Sequence, residues 1–157
     1  KMETARFIRT TQQAFGIPTI SVTHDLEEAF AMSDRIGVLL DGQLMQFDTP
    51  RQVYFHSATR TVARFLGPVN EISPALFPLF RVDETVTGLL NGRSLPARPE
   101  NLVITADPDG FGCITDKTFA GHYTVYEVTG GPHVYTIYSQ NDRFDKDQRV
   151  TLHYRPF

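Results

Sequence analysis

One histidine stands between an apolar run and the start of a helix pattern. Residues 17–22 read Ile-Pro-Thr-Ile-Ser-Val, and such a run is typical of a strand buried on both faces of a parallel sheet. His24 follows, and Asp25 with Glu28 has the spacing of a capping box that starts a helix to about residue 32. Ligands of open α/β sheets bind beyond the carboxyl ends of the strands, where an imidazole could stabilise charge that develops during a transfer reaction. The alternative is that His24 only satisfies a strand end or a helix cap.

A second group of polar side chains surrounds a glycine turn late in the chain. Lys117, Thr118 and His122 lie on either side of the turn at Gly121. Cationic and hydroxyl donors gathered at a turn could bind an oxyanion. An ordinary hairpin with exposed polar residues is the alternative interpretation of the same pattern.

Other reactive residues do not have the spacing of a metal site. Residues 107–110 read Asp-Pro-Asp-Gly, but the later ligands of a calcium loop do not follow, so a turn is expected. The histidines at positions 56, 122, 133 and 153 lack metal-ligand spacing. Cys113, the only cysteine, lies in a strand pattern and is expected to be a small buried hydrophobe.

The charge balance and the composition exclude several classes of protein. The 157 residues carry 15 basic and 18 acidic side chains, a net charge of −3, which argues against a phosphate backbone as the main partner. One cysteine excludes an intramolecular disulfide framework. No apolar run approaches the roughly 20 residues of a membrane span, so any membrane association is expected to need a partner.

The pattern of elements predicts two domains joined by a linker. Helix patterns and a hairpin around Asp41-Gly42 fill residues 1–67, with helix starts after Thr49 and near residue 59. Three prolines in residues 68–80 indicate a linker over 68–79. The remainder, 80–157, reads as a small antiparallel barrel. Its six predicted strands are 86–90, 101–105, 112–118, 122–129, 133–140 and 149–154.

An ordered series of short motifs runs through most of the chain. Residues 21–29 read Ser-Val-Thr-His-Asp-Leu-Glu-Glu-Ala, and the series continues with Ser-Asp-Arg-Ile at 33–36, Leu-Asp-Gly at 40–42, Thr49-Pro50, Tyr54, Phe-Leu-Gly at 65–67 and Arg-Pro-Glu-Asn-Leu at 98–102. Up to residue 67 this series resembles the switch-histidine segment and the end of the nucleotide-binding domain of ABC importer ATPases. Residues 98–102 are similar to a motif of their C-terminal TOBE domain.

The resemblance implies an α/β remnant of an ABC ATPase domain followed by an all-β, OB-like antiparallel barrel of the TOBE type. His24 would be the switch histidine, which reaches the γ-phosphate of ATP and helps to close two subunits over the nucleotide. The intact subunit would use ATP and Mg²⁺. No Gly-Lys pair of a P-loop occurs, the signature motif is absent, and Gly42 follows Asp41 where a Walker B glutamate would stand. No cofactor and no ATP hydrolysis are therefore expected of this chain alone.

The same resemblance implies partners and a location. It implies a homodimer and the transmembrane permease of an importer, on the cytoplasmic inner face of a bacterial or archaeal plasma membrane, with sulfate, molybdate, iron or polyamine among the cargoes. Because the chain opens inside a helix pattern, it is expected to be part of a longer protein, and strand 17–22 is expected to drive homodimerisation or strand exchange. Two alternatives stay open: a stand-alone oxyanion or small-molecule module, and a single-strand nucleic-acid-binding barrel. Against the latter, residues 80–157 carry eight basic and ten acidic side chains.

Overall fold

The computed structural model describes residues 2–156, which fall into two compact units divided between Gly67 and Pro68. None of the helices in that range is long and apolar enough to cross a membrane. The first unit contains α1 (Met2–Phe15), α2 (Leu26–Met32), β1 (Ile36–Leu40), β2 (Gln43–Asp48), α3 (Pro50–Phe55) and α4 (Arg60–Phe65). The second contains β3 (Asn70–Ile72), α5 (Glu84–Leu90), β4 (Leu95–Ala97), β5 (Leu102–Ala106), β6 (Gly112–Phe119), β7 (Thr124–Gly130), β8 (His133–Ser139) and β9 (Arg149–Tyr154).

Local signals account for the elements of the first unit. Each of the helices α2, α3 and α4 begins after a side chain that accepts a hydrogen bond from a backbone N–H of its first turn; these residues are Asp25, Thr49 and Thr59. Strands β1 and β2 form the expected antiparallel hairpin. At its turn Asp41 has φ 49° and Gly42 has φ 76°, the pair of positive φ values that a tight two-residue hairpin turn needs.

The core of the first unit lies between α2, the β1–β2 hairpin, α3 and α4. Val38, Val53, Val62 and Leu66 are buried in it. Phe30 of α2 meets Tyr54 of α3 edge to face, with ring centroids 5.7 Å apart. Helix α2 is therefore stabilised by a contact between aromatic side chains as well as by the hydrogen bond of its cap.

Residues 17–22 do not form the buried strand that their composition predicts. They have no regular secondary structure, and Ile20 and Val22 are 97% and 95% exposed. A parallel strand is stable only when neighbouring strands satisfy its backbone groups and helices cover its faces. No such neighbour is present among residues 2–156, so the prediction of a strand here is wrong for this chain.

The second unit is built on a five-stranded antiparallel sheet with the order β5-β9-β6-β7-β8. Alternate residues of β7 are buried, and the same alternation continues on β8 and β9. The largest buried side chains are Tyr126, Tyr135 and Phe80. Five of the six strands predicted in this half are confirmed.

The proline-rich segment 68–79 contains structure where a linker was expected. Strand β3 pairs with β4, with Asn70 opposite Ala97 and Ile72 opposite Leu95. Residues 74–76 form a 3₁₀ turn, and Ile72 and Phe77 are buried in the core. Proline is tolerated here because Pro74 occupies the first position of the turn, where no backbone donor is needed.

Residues 84–90 form a helix, so the strand predicted at 86–90 is wrong. Asp83 caps α5 by accepting a hydrogen bond of 2.8 Å from the backbone N–H of Thr85, and Asn91 ends the helix in the left-handed conformation. Val86 and Leu90, one helical turn apart, pack against the core. The caps and this spacing outweigh the strand preference of the β-branched residues.

The strand order of the sheet leaves β5 and β8 at its two edges. No hydrogen-bonded pair of strands joins these edges within the part of the chain that the structure describes. A small α/β part followed by a mostly antiparallel sheet is therefore confirmed. The closed OB-like barrel stays a prediction.

Candidate functional site

His24 lies in a bend at the start of α2. Its side chain is exposed, and the imidazole has no hydrogen-bond partner among residues 2–156. The residues around it are held firmly, whereas the ring itself is left available. An exposed ring on a fixed backbone can meet a ligand or a second protein surface without first breaking an internal contact.

A closed set of hydrogen bonds surrounds His24. The backbone N–H of Asp25 donates to Thr23 Oγ1 at 3.0 Å, and that hydroxyl donates to Glu28 Oε2 at 3.0 Å. The backbone N–H of Glu28 donates to Asp25 Oδ1 at 3.1 Å. In an ordinary capping box the Glu28 carboxylate would accept directly from the Asp25 N–H. Here the Thr23 hydroxyl stands between them.

Sequence reasoning missed the part that Thr23 plays. A hydroxyl two residues before a helix cap is the available signal, because such side chains bind a backbone N–H two positions ahead. The turn that carries His24 is therefore fixed by three side chains, those of Thr23, Asp25 and Glu28, and not by the cap alone.

Helix α2 is itself anchored at both ends. Leu26 in its first turn packs against the core of the first unit, as does Phe30. At the other end, the guanidinium of Arg9 on α1 donates to the Ala31 carbonyl oxygen at 3.1 Å and to the Asp34 carboxylate at 2.8 Å. These contacts set the position of the helix that follows His24.

No metal site accompanies His24 in the described range. No group of three or more His, Cys, Asp or Glu side chains among residues 2–156 is placed to hold a metal ion. A contact between His24 and a phosphate group stays a prediction.

The structure shows Lys117 engaged with carboxylates. Its ammonium lies 3.1 Å from Asp142 Oδ1 and 3.8 Å from Asp145 Oδ1, and it donates to the Asp142 carbonyl oxygen at 2.9 Å. The hydrogen bond with Asp142 raises the pKa of Lys117, and the ammonium in turn lowers the pKa of Asp142, with a second hydrogen bond from Thr124 acting in the same direction. A cation held in this way is already neutralised by protein groups.

The other two residues of the oxyanion prediction lie elsewhere on the hairpin. Thr118 follows Lys117 directly on β6, so the two side chains leave opposite faces of the strand. His122 is exposed in the turn between β6 and β7. An oxyanion site formed by Lys117, Thr118 and His122 stays a prediction, and this placement argues against it.

The aromatic side chains of the second unit are divided between core and surface. Tyr126 and Tyr135 are buried, and burial raises the pKa of Tyr135. Tyr123 and Tyr138 stack with ring centroids 4.7 Å apart, and Phe119 is exposed. Because much of the aromatic surface fills the core, these strands offer fewer stacking platforms for bases than their composition suggests.

The aspartates of residues 107–110 support a turn. Asp107 accepts hydrogen bonds from the Thr151 hydroxyl at 2.6 Å and from the Asp109 backbone N–H at 3.1 Å. These bonds lower the pKa of Asp107. Gly110 is required by packing, because a Cβ there would overlap the backbone carbonyl of Val150.

The motif at residues 98–102 joins separate parts of the second unit. Arg98 is buried and donates to the Pro68 carbonyl oxygen at 3.3 Å. Asn101 is also buried; its amide donates to the Arg155 carbonyl oxygen at 3.0 Å and accepts from the Arg98 backbone N–H at 3.1 Å. This segment therefore ties both ends of the unit to its centre.

Comparison with curated proteins identifies relatives along nearly the whole chain. A spermidine/putrescine import ATP-binding protein of Mycoplasma capricolum is 32% identical, over 95% of this chain and 46% of the relative. A diacetylchitobiose uptake system ATP-binding protein of Streptomyces coelicolor is 36% identical, over 83% of this chain and 33% of the relative. A ferric-ion import ATP-binding protein of Rhizobium meliloti is 33% identical, over 77% of this chain and 38% of the relative.

The chain spans less than half the length of these relatives. No protein-family model matches it. The matches nevertheless agree with the motif series that runs from Ser21 to Leu102, and all three relatives carry the same kind of name. The chain is thus homologous to the C-terminal part of the ATP-binding subunits of ABC importers.

Proposed function

We propose that this chain supplies the switch histidine and the accessory domain of an ATPase subunit that powers an ABC importer. The observation that carries the proposal is the placement of His24: an exposed imidazole on a fixed turn, within a segment that matches importer ATP-binding subunits. In the intact subunit, ATP binding would close a dimer and hydrolysis would reopen it, which would drive a separate transmembrane permease at the inner face of the plasma membrane.

In this proposal His24 donates a hydrogen bond from its ring to an oxygen of the γ-phosphate. Phosphoryl transfer spreads negative charge over these oxygens, and a donor that is already in position stabilises that charge without reorganisation. The phosphate grip and the attacking water would be handled by residues outside this chain. We accordingly propose that the 157 residues alone do not hydrolyse ATP.

We further propose that residues 68–157 are a TOBE-type domain that pairs two subunits and senses cargo. The support is the motif at 98–102 and a compact antiparallel sheet with its own core. The relatives are named for polyamine, chitobiose-derivative and ferric-ion uptake at comparable identities. Similarity that persists across such different cargoes supports a role in energy coupling for most of these residues.

Turnover of ATP by the intact subunit tests the role of His24. We expect His24→Ala to lower kcat by about 10² to 10³, with binding of ATP retained. His56→Ala, which removes another exposed histidine of the same unit, is the matched control and should leave kcat unchanged. Unchanged turnover in His24→Ala would refute the assignment.

Titration of the 157-residue chain tests the two alternatives. Isothermal calorimetry with sulfate, molybdate and a short single-stranded oligonucleotide should give no saturable heat from the oligonucleotide, and saturable heat from an oxyanion only if the sensed cargo is an oxyanion. Tight oxyanion binding would support the cargo-sensing or binding-module interpretation. Oligonucleotide binding that weakens with salt would instead support the nucleic-acid-binding alternative.

A further inference from the structure

We propose that Thr23 and Glu28 are positioning residues for His24, acting through the hydrogen bond between the Thr23 hydroxyl and the Glu28 carboxylate. This inference rests on the proposed function of His24. Neither side chain is assigned a contact with the nucleotide. Their role is to fix the backbone turn from which the imidazole projects.

The geometry closes a small ring of contacts around one residue. Thr23 Oγ1 accepts from the Asp25 N–H and donates to Glu28 Oε2, both at 3.0 Å, while the Glu28 N–H donates to Asp25 Oδ1 at 3.1 Å. The Ala29 N–H donates to the Asp25 carbonyl oxygen at 3.0 Å. His24 lies between the residues that form these hydrogen bonds, and its own side chain is exposed.

The hydrogen bond between Thr23 and Glu28 matters because the segment before His24 makes few other stabilising contacts. Residues 17–22 have no regular secondary structure, and Ile20 and Val22 are almost fully exposed. Thr23 fastens this segment to the first turn of α2. Without the hydrogen bond between Thr23 and Glu28, the backbone could rotate at residues 23 and 24. The His24 imidazole would then sample positions away from a phosphate oxygen.

The chemistry of the pair predicts which substitutions preserve it. Thr23 must accept one hydrogen bond and donate another, which a hydroxyl can do and a methyl group cannot. Serine keeps both bonds, whereas valine has the same shape and keeps neither. Glu28 only has to accept, so the carbonyl oxygen of glutamine can replace its carboxylate.

Steady-state kinetics of the intact subunit test the proposal. Misplacing a reacting group by about 1 Å can cost about 10²-fold, so we expect Thr23→Val and Glu28→Ala each to lower kcat by about 10- to 100-fold with little change in KM for ATP. Thr23→Ser and Glu28→Gln should restore kcat to within about twofold. The double variant Thr23→Val/Glu28→Ala should be about as active as Thr23→Val alone, because Thr23→Val already removes the hydrogen bond that Glu28→Ala would remove.

Controls separate this proposal from the role of His24 itself. Glu27→Ala removes the neighbouring acid in the same turn and should leave kcat unchanged, and circular dichroism should show that each variant is folded. Full activity in Thr23→Val together with a large loss in His24→Ala would overturn the positioning role alone. Full activity in His24→Ala would overturn the proposed function of His24 instead. A loss in Thr23→Val that serine does not avoid would also contradict the proposal.

Discussion

The side chain of Asn70 forms two hydrogen bonds to the backbone of Thr136. Asn70 Nδ2 donates to the Thr136 carbonyl oxygen at 2.7 Å, and the Thr136 N–H donates to Asn70 Oδ1 at 2.8 Å. Thr136 lies on β8, an edge strand of the five-stranded sheet. A buried amide thus takes the place of a neighbouring strand and satisfies two groups of an otherwise open edge.

Replacing Asn70 should therefore destabilise the second unit. Asn70→Ala leaves a backbone donor and a backbone acceptor without partners, which should lower the free energy of unfolding by about 1–3 kcal/mol. Urea denaturation of the chain measures this loss. Asn141→Ala, at an exposed asparagine, should change stability little. A loss as small as that of the control would show that Asn70 does not protect the edge.

The contact between Lys117 and Asp142 should make stability depend on acid pH. The Lys117 ammonium holds the pKa of Asp142 below its ordinary value of 3.8, so the contribution of the contact is present above pH 3.8 and is lost as the pH falls through the folded pKa. Lys117→Met should be less stable than the wild type at pH 7, and this difference in the free energy of unfolding should disappear in strong acid. Chemical denaturation at several pH values measures the difference, with Lys146→Met as the exposed control. A gap that does not depend on pH would contradict the prediction.

His153 should make stability decrease with falling pH as well, but closer to neutrality. Burial lowers its pKa from 6.5, the nearby charge of Arg81 acts in the same direction, and Asp107 opposes them. The folded state favours the neutral ring. The contribution of His153 to the free energy of unfolding is therefore fully present above pH 6.5 and decreases as the pH drops from 6.5 toward the folded pKa. In NMR titrations the pKa of His153 should lie below the ordinary histidine value of 6.5. A His153 pKa at or above 6.5 would show that burial does not control it.

The exposed apolar residues of segment 17–22 should promote self-association of the chain. Ile20 and Val22 present nearly their whole side chains, and an unpaired extended segment readily pairs with another copy. Light scattering should give a mass above that of the monomer, and it should rise with concentration. Ile20→Lys/Val22→Lys should reduce the mass toward that of the monomer, whereas Thr19→Lys should reduce it less. A wild-type chain that stays monomeric throughout would refute the expectation.

Elements governed by neighbouring residues could be predicted from the sequence. The hairpin at Asp41-Gly42 and the caps at Asp25, Thr49 and Thr59 follow from local backbone preferences, and the structure confirms them. The motif series around His24 likewise indicated the family, which the relatives bear out. The strand predicted at 86–90 is wrong because the caps at Asp83 and Asn91 favour a helix in spite of the β-branched residues between them.

Contacts between residues distant in the chain could be decided only by the tertiary structure. Asn70 meets Thr136 across 66 positions, and Lys117 meets Asp142 across 25; neither pairing has a local signal. Whether residues 17–22 become a strand depends on neighbours that composition alone cannot supply. The sequence by itself determined the caps, the turns and the motifs that indicate the family, because these depend on a few adjacent residues. Only the fold decided which polar groups are held by partners and which stay exposed, because that depends on what packing brings together.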